Sequence, residues 1–193
     1  MHGAQIGPNA LTQLIEPIER RCGGEMVTRL LRQSGIKRLP DMTGLIDEDP
    51  VIALHHHMIR ALPDMADDIS REAGARTGAY IIENRIPGFA QKLLRLLPAP
   101  VAARLLAKAI AKNAWTFAGS GTFAVQSWWP LVFTLEDNPF AKGLRTYAPA
   151  CHWHAAVFET LFQELVSPHI RVTETTCCAA GDPRCTFQIM LAA

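Results

Sequence analysis

At 193 residues, with 49% hydrophobic and 19% charged side chains, the chain suits one folded domain, 1–193 with its core roughly over 10–191, and is too apolar to be a disordered one. A net charge of +1 carries no general nucleic-acid signal, and no apolar run reaches the roughly 18 residues of a membrane-spanning helix. The N-terminus lacks the charged region, apolar core and cleavage site of a secretory leader, and an odd number of cysteines, five, suits a reducing compartment, so the cytoplasm is expected.

The first 150 residues read as mainly helical. Leu11, Leu14, Ile15 and Ile18 form a stripe at helical spacing after Asn9, a candidate cap, and Pro17 predicts a kink or a break. Met26, Val27, Leu30 and Leu31 form a second stripe that Gly35 can end. Residues 36–50, with Pro40 and Gly44 among charges, read as a loop. Further helices are predicted at roughly 50–61, 64–83, 87–97 and 99–113. Within the first of these, His55-His56-His57 cannot make one facial metal site, because successive helical residues point about 100° apart. At least one of the three is expected to be exposed, leaving His56 or His57 as a candidate ligand of a metal carried by a bound molecule. In the last helix Val101, Ala102, Leu105, Leu106, Ala109 and Ile110 share a face, while Arg104, Lys108 and Lys112 recur at four-residue steps. Such a basic face is ordinarily a solvated cover for the core. No Asp or Glu lies between Glu83 and Glu136, however, so the region can also draw carboxylates or an anionic membrane surface.

Between residues 115 and 135 the period shifts toward strand, with Gly119-Ser120-Gly121 as a turn and Trp115 expected to pack. Gly119-x-Gly121 lacks the third glycine and the strand-to-helix setting of a dinucleotide fingerprint. Trp128 and Trp129 are adjacent and cannot both face one side of a regular strand, so one of them lines a surface, a bulge or a cavity. Aromatic walls from Trp128, Trp129, Phe117 and Phe123, beside Arg104 and Lys108, suit a wide, flat, mostly apolar ligand with peripheral carboxylates, such as a tetrapyrrole.

The last 43 residues carry the strongest chemical signal. Ala155, Val157, Phe158, Leu161, Phe162 and Leu165 mark a helix over 150–166 that Ser167-Pro168 ends, which places Cys151 at its N-terminus. Helix-terminal N–H groups lower a thiol's pKa, and the thiolate is the metal-binding form. Ile170 and Val172, then Cys185, Phe187, Ile189 and Leu191, alternate as strands around the turn 179–183. A hairpin of that shape brings Cys177 and Cys185 together at its closed end, within reach of Cys151 and His152. The predicted centre is therefore a zinc site of Cys151, His152, Cys177 and Cys185, with His154 as an alternative fourth ligand and Cys178 as a packing residue.

The run Glu174-Thr-Thr-Cys177-Cys-Ala-Ala-Gly181-Asp182-Pro183-Arg-Cys185-Thr-Phe187 resembles the closing signature of the vinyl-reductase-type ligand-binding domain, found in bacterial phenol sensors and bacteriochlorophyll-biosynthesis proteins. Tyr80-Ile-Ile-Glu-Asn-Arg85-Ile-Pro87, Leu97-Pro98-Ala99 and Asn113-Ala-Trp115-Thr-Phe117-Ala-Gly119-Ser-Gly121 are similar to the bacteriochlorophyll branch, whose members carry a 4-vinyl reductase label. The resemblance implies an α+β fold shared with nitric-oxide-signalling and Golgi-transport ligand-binding domains: an N-terminal helical layer packed on a small antiparallel sheet, with the C-terminal hairpin tied by metal. Relatives of this kind often form homodimers. In the sensors, cysteines and a glutamate hold zinc; Cys151, Cys177 and Cys185 match the cysteines, and His152 is read as standing in the glutamate's place.

Three functions follow as expectations. The first is a non-catalytic carrier of a magnesium-porphyrin or protochlorophyllide-type bacteriochlorophyll precursor, with structural zinc. It would hand its ligand to enzymes of the pathway and associate with the photosynthetic membrane at most peripherally. The second is reduction of the 8-vinyl group (4-vinyl in older numbering), which needs a hydride or electron source for which the sequence shows no motif. The third is a small-molecule sensory or assembly module.

Overall fold

The structure, a computed structural model, describes residues 3–191. Six helices come first: α1 (Asn9–Cys22), α2 (Gly24–Gln33), α3 (Glu48–Ala61), α4 (Ala66–Arg85), α5 (Gly88–Leu96) and α6 (Ala99–Lys112). A short antiparallel pair, β1 (Gln5–Ile6) with β2 (Ile46–Asp47), ties the N-terminal segment to the start of α3. The second half holds β3 (Thr122–Trp128), β4 (Leu131–Glu136), α7 (His152–Leu165), β5 (Ile170–Thr176) and β6 (Arg184–Leu191), its strands forming one antiparallel sheet in the order β3-β4-β6-β5. The expected α+β architecture, helices against a small antiparallel sheet, is the one observed.

Local signals account for most element ends. Asp47 caps α3 by accepting from the Asp49 N–H at 3.1 Å. Gly35, at φ +72°, turns the chain out of α2. Pro17 does not divide α1, which continues to Cys22. Leu14 and Ile18 on either side of it are fully buried, and their burial offsets the roughly 3 kcal/mol that an internal proline costs.

The core lies where α7 crosses α4 and lies over the sheet. Phe158 and Phe162 of α7 are buried against Phe133 of β4 and Phe187 of β6, with ring centroids 5.2 Å (Phe133–Phe158) and 5.4 Å (Phe158–Phe187) apart and nearly perpendicular. On the opposite side, Gly74 and Gly78 let the backbones of α4 and α7 touch: a Cβ at Gly74 would stand 2.3 Å from the Trp153 carbonyl oxygen. Two expectations are corrected here. Trp115 does not pack in a strand; it sits in a 3₁₀ turn (Ala114–Thr116) after α6 and is 56% exposed, because the strand begins only at Thr122. None of the three successive histidines is exposed, since each ring finds a partner: His55 Nε2 donates to the Ala10 carbonyl (2.8 Å), His56 Nε2 to the Phe140 carbonyl (2.9 Å), and His57 Nδ1 meets Ser34 Oγ (3.0 Å).

A cysteine and glutamate cluster beside an apolar cavity

Three elements converge on one point beneath the start of α7. Cys151 immediately precedes α7, Cys177 follows β5, and Cys185 is the second residue of β6. The Sγ atom of Cys151 lies 3.7 Å from that of Cys177 and 3.5 Å from that of Cys185, and the Cys177 and Cys185 sulfurs are 3.9 Å apart. The turn that closes the hairpin is held by the Cys177 N–H, which donates to Asp182 Oδ2 at 2.8 Å, and by Gly181 at φ +97°.

The fourth member is Glu174, not His152. Ligand atoms of Cys151, Glu174, Cys177 and Cys185 all lie within 4.8 Å of one another. Glu174 arrives by strand alternation: Ile170 and Val172 face inward, and so does the carboxylate two residues on, just before a bulge between Glu174 and Thr176. Glu174 Oε2 accepts from the Cys151 N–H at 2.7 Å, while Oε1 is buried with no hydrogen-bond partner. His152 is turned toward α4, its Nε2 3.2 Å from Asp67 Oδ1 and its Nδ1 3.0 Å from Arg71. His154 is buried against the Phe117 carbonyl at 3.3 Å and takes no part in the cluster. Successive residues of the helix start point in different directions, so adjacency to Cys151 in sequence does not become adjacency at the sulfurs.

The donor set fits a tetrahedral zinc ion. Zinc–sulfur bonds of about 2.3 Å imply sulfur–sulfur edges of about 3.8 Å, close to the three separations present. The electrostatics agree. S–H donation from Cys151 and Cys185 holds the Cys177 thiol far below its ordinary range, which makes it the first to ionise. Burial, then the charge of Cys177, pushes Glu174 up to about 8. A dication would relieve that crowding of acidic groups. Around them, Asn138 Nδ2 lies 3.1 Å from Cys151 Sγ and 3.4 Å from Cys185 Sγ, and the Cys178 N–H donates to Cys185 Sγ at 3.4 Å. Cys178 thus supports the cluster through its backbone, and its own sulfur lies outside it.

Beside this cluster a cavity of about 470 Å³ opens between α4, α6 and α7. Residues spaced by four line it from each helix: Thr77, Ile81 and Arg85 from α4, Leu106 and Ile110 from α6, and Trp153, Val157 and Leu161 from α7. Trp115 and Phe117 form its wall beyond α6. Arg85 is the one charged residue among the described residues that line it, and its guanidinium donates to the Met42 carbonyl at 2.7 Å. A second, smaller groove of about 350 Å³ lies between the start of α6, the β3–β4 turn and the end of β6.

The aromatic and basic residues expected to form one ligand site are divided between these places. Phe117 lines the larger cavity, whereas Trp128, Trp129 and Arg104 line the smaller groove. Phe123 lines neither and packs edge-on against Phe117 and Phe133, both at 5.1 Å; Lys108 lines neither and is exposed. The larger site escapes a reading of the sequence for a physical reason: Arg85 and Trp153 lie 68 residues apart and meet only through the α4–α7 crossing.

Over 186 residues the chain is 48% identical to the bacteriochlorophyll synthase 23 kDa chain of Cereibacter sphaeroides, a match covering 96% of this chain and 90% of that one. The chain belongs to that family. The corresponding 23 kDa chain of Rhodobacter capsulatus is 42% identical over 183 residues, covering 95% and 85% of the two chains. Residues 131–191 match the vinyl-4-reductase domain, and this stretch contains all four members of the cluster. The fold is shared with an Fe(II) unliganded H-NOX protein from K. algicida, with a TM-score of 0.61 at 14% identity over 95% of each chain. It is also shared with the phenol-responsive sensory domain of the transcription activator PoxR, with a TM-score of 0.55 at 15% identity over 86% of this chain and 90% of that one.

Proposed function

We propose that the chain binds a tetrapyrrole intermediate of bacteriochlorophyll synthesis in its larger cavity and presents it to a synthase enzyme, performing no chemistry on it. The observation that carries this reading is a cavity of about 470 Å³ with aromatic and aliphatic walls and one lining cation, Arg85. That volume falls within the roughly 300–1,000 Å³ usual for small-molecule sites. A flat macrocycle would bury its faces against Phe117, Trp115 and Trp153, and its carboxylate would pair with the guanidinium N–H groups that Met42 leaves free. The indole N–H of Trp153 is buried without an acceptor in the protein, and a polar edge of the ligand would supply one. The relatives' name, chains of a bacteriochlorophyll synthase, supports both the pathway and an enzyme of it as the partner.

In this reading zinc held by Cys151, Glu174, Cys177 and Cys185 is structural, supplying a fixed junction and not a reacting group. It ties the first turn of α7 to the β5–β6 hairpin, and Trp153 lies two residues after Cys151. The cluster therefore sets the position of a cavity wall.

The test is anaerobic titration of the purified protein with protoporphyrin, its magnesium complex and divinyl protochlorophyllide, with and without reduced nicotinamide. Saturable spectral shifts unaffected by reductant are expected, and Arg85→Gln should weaken binding roughly tenfold or more, the worth of a charge-assisted hydrogen bond. Trp129→Ala should bind as the parent does. Ethyl product over multiple turnovers would replace the carrier by the reductase, and absence of binding to all three would end the tetrapyrrole reading.

A further inference from the structure

Helices α5 and α6 carry outward faces that the core does not need. The buried side of α6 is supplied by Ala102, Leu106, Ala107 and Ile110, yet Val101 and Leu105 are 45% and 42% exposed on the other side. They are interleaved there with Arg104, Lys108 and Lys112, all exposed, at the i, i+3, i+4, i+7 and i+11 positions of one face. On α5, Phe89, Leu93 and Leu96 are 77%, 52% and 84% exposed and fall at i, i+4 and i+7, with exposed Lys92 among them. Arg95 and Gln91 point the other way, to the carbonyls of Glu164 and of Ile82 and Ile86.

Two further observations join these faces. Ala99 and Pro100, just after Leu96, line the smaller groove together with Trp128 and Trp129, so the α5–α6 corner and the β3–β4 turn form one rim. Trp129 is 76% exposed on that rim, and Met190 and Leu191 at the end of β6 continue it at 46% and 57%. No acidic residue lies in the sequence from Asn84 to Leu135, so no carboxylate from these helices or from β3 offsets the cations.

We propose that this rim, Leu96, Trp129 and the Val101–Lys108 face of α6, docks the protein onto the surface of a bilayer rich in anionic lipid. The chemistry selects that occupant. Trp and Leu at protruding tips partition into the headgroup and acyl boundary, and lysine and arginine placed among them reach lipid phosphates while their stems stay in the apolar layer. Each such cation near an anionic surface contributes about 1 kcal/mol, about fivefold in partitioning. No helix among the described residues is long and apolar enough to cross the membrane, so attachment here is to one surface. The larger cavity opens through different residues, and the proposal does not depend on what it binds.

The experiment is co-flotation of the purified chain, without tetrapyrrole, with vesicles of phosphatidylcholine alone or of equimolar phosphatidylcholine and phosphatidylglycerol. Binding is expected only to the anionic vesicles and should fall steeply between low and physiological salt as the charges are screened. Arg104→Gln with Lys108→Gln should lower partitioning roughly twentyfold. Leu96→Ser with Trp129→Ser should lower it about tenfold through lost apolar insertion. Both pairs are exposed, so the variants should keep the parent's melting temperature. Trp115→Ser, which removes an exposed tryptophan away from the rim, should bind vesicles as the parent does. Absence of flotation, equal binding to neutral vesicles, or binding untouched by the Leu96 and Trp129 pair would overturn the proposal. A dimer in size exclusion that the same pair dissolves, without vesicle binding, would assign the face to a second copy instead.

Discussion

A carboxylate on the inward face of a strand is costly unless something answers its charge. Glu174 is such a group, with one oxygen held by the Cys151 N–H and the other without a partner among three thiols. The expected outcome is about one zinc per purified chain by elemental analysis. Glu174→Ala and Cys177→Ser should lose it, and His152→Ala and Cys178→Ser should retain it. Asn138→Ala should weaken zinc binding by roughly 10–100-fold, because its amide steers two of the sulfurs. Zinc lost from His152→Ala but kept by Glu174→Ala would reverse the assignment. The signal for Glu174 was present in the alternation that marks Ile170 and Val172 as buried, carried two residues further. What the sequence did not reveal was the direction of His152, which is set by Asp67 and Arg71 on another helix.

At the scale of elements, the α4–α7 crossing decides the shape of the cavity. A methyl group at Gly74 would lie 2.3 Å from the Trp153 carbonyl oxygen and 2.8 Å from Ala156 Cβ, and one at Gly78 would lie 2.7 Å from Thr160 Cβ. Alanine favours a helix interior over glycine by about 1 kcal/mol, so a gain would be expected from propensity alone. The contact reverses it. Gly74→Ala should destabilise the protein by about 1–3 kcal/mol, the usual range for overpacking, and should also weaken ligand binding by moving Trp153. Gly88→Ala, whose methyl group would meet nothing within 4 Å, should stay within about 0.5 kcal/mol of the parent. Urea midpoints of the two variants separate these effects; equal midpoints would show that the helices can part freely. The helix spanning these glycines was legible from its pattern, but the closeness of its partner was not, since a small residue marks close approach only once the partner is known.

Across the whole molecule, two buried imidazoles join distant parts and make stability depend on pH. His55 joins α3 to α1 through the Ala10 carbonyl, and His154 joins α7 to the turn at Phe117. Burial lowers both, from 6.5 to about 3 for His55 and to about 4 for His154. Above pH 6.5 both are neutral whether the chain is folded or unfolded, and their contribution is complete. Below it the unfolded chain takes up protons that the folded chain refuses, so stability falls as pH drops from 6.5 toward 4 and then 3. The slope from each group is at most about 1.4 kcal/mol per pH unit. Denaturation followed at constant metal content over that window should show the decline, and His55→Gln should remove roughly half of it. A flat profile would mean that water reaches these rings.

By itself the sequence determined the α+β class, nearly all of the helices, the terminal hairpin and the convergence of Cys151, Cys177 and Cys185, because period, turn residues and caps act over a few neighbouring positions. The His triplet and Trp115 escaped that reading, since their surroundings come from α1, the Phe140 segment and the end of α6. Only the tertiary structure decided that Glu174 completes the cluster, that Phe117 parts company with Trp128 and Trp129, and that Arg85 and not Arg104 lines the larger cavity. Each of those choices depends on which helices cross and how closely. That is settled by packing at glycines and aromatic rings far apart in the chain, where no local pattern records the outcome.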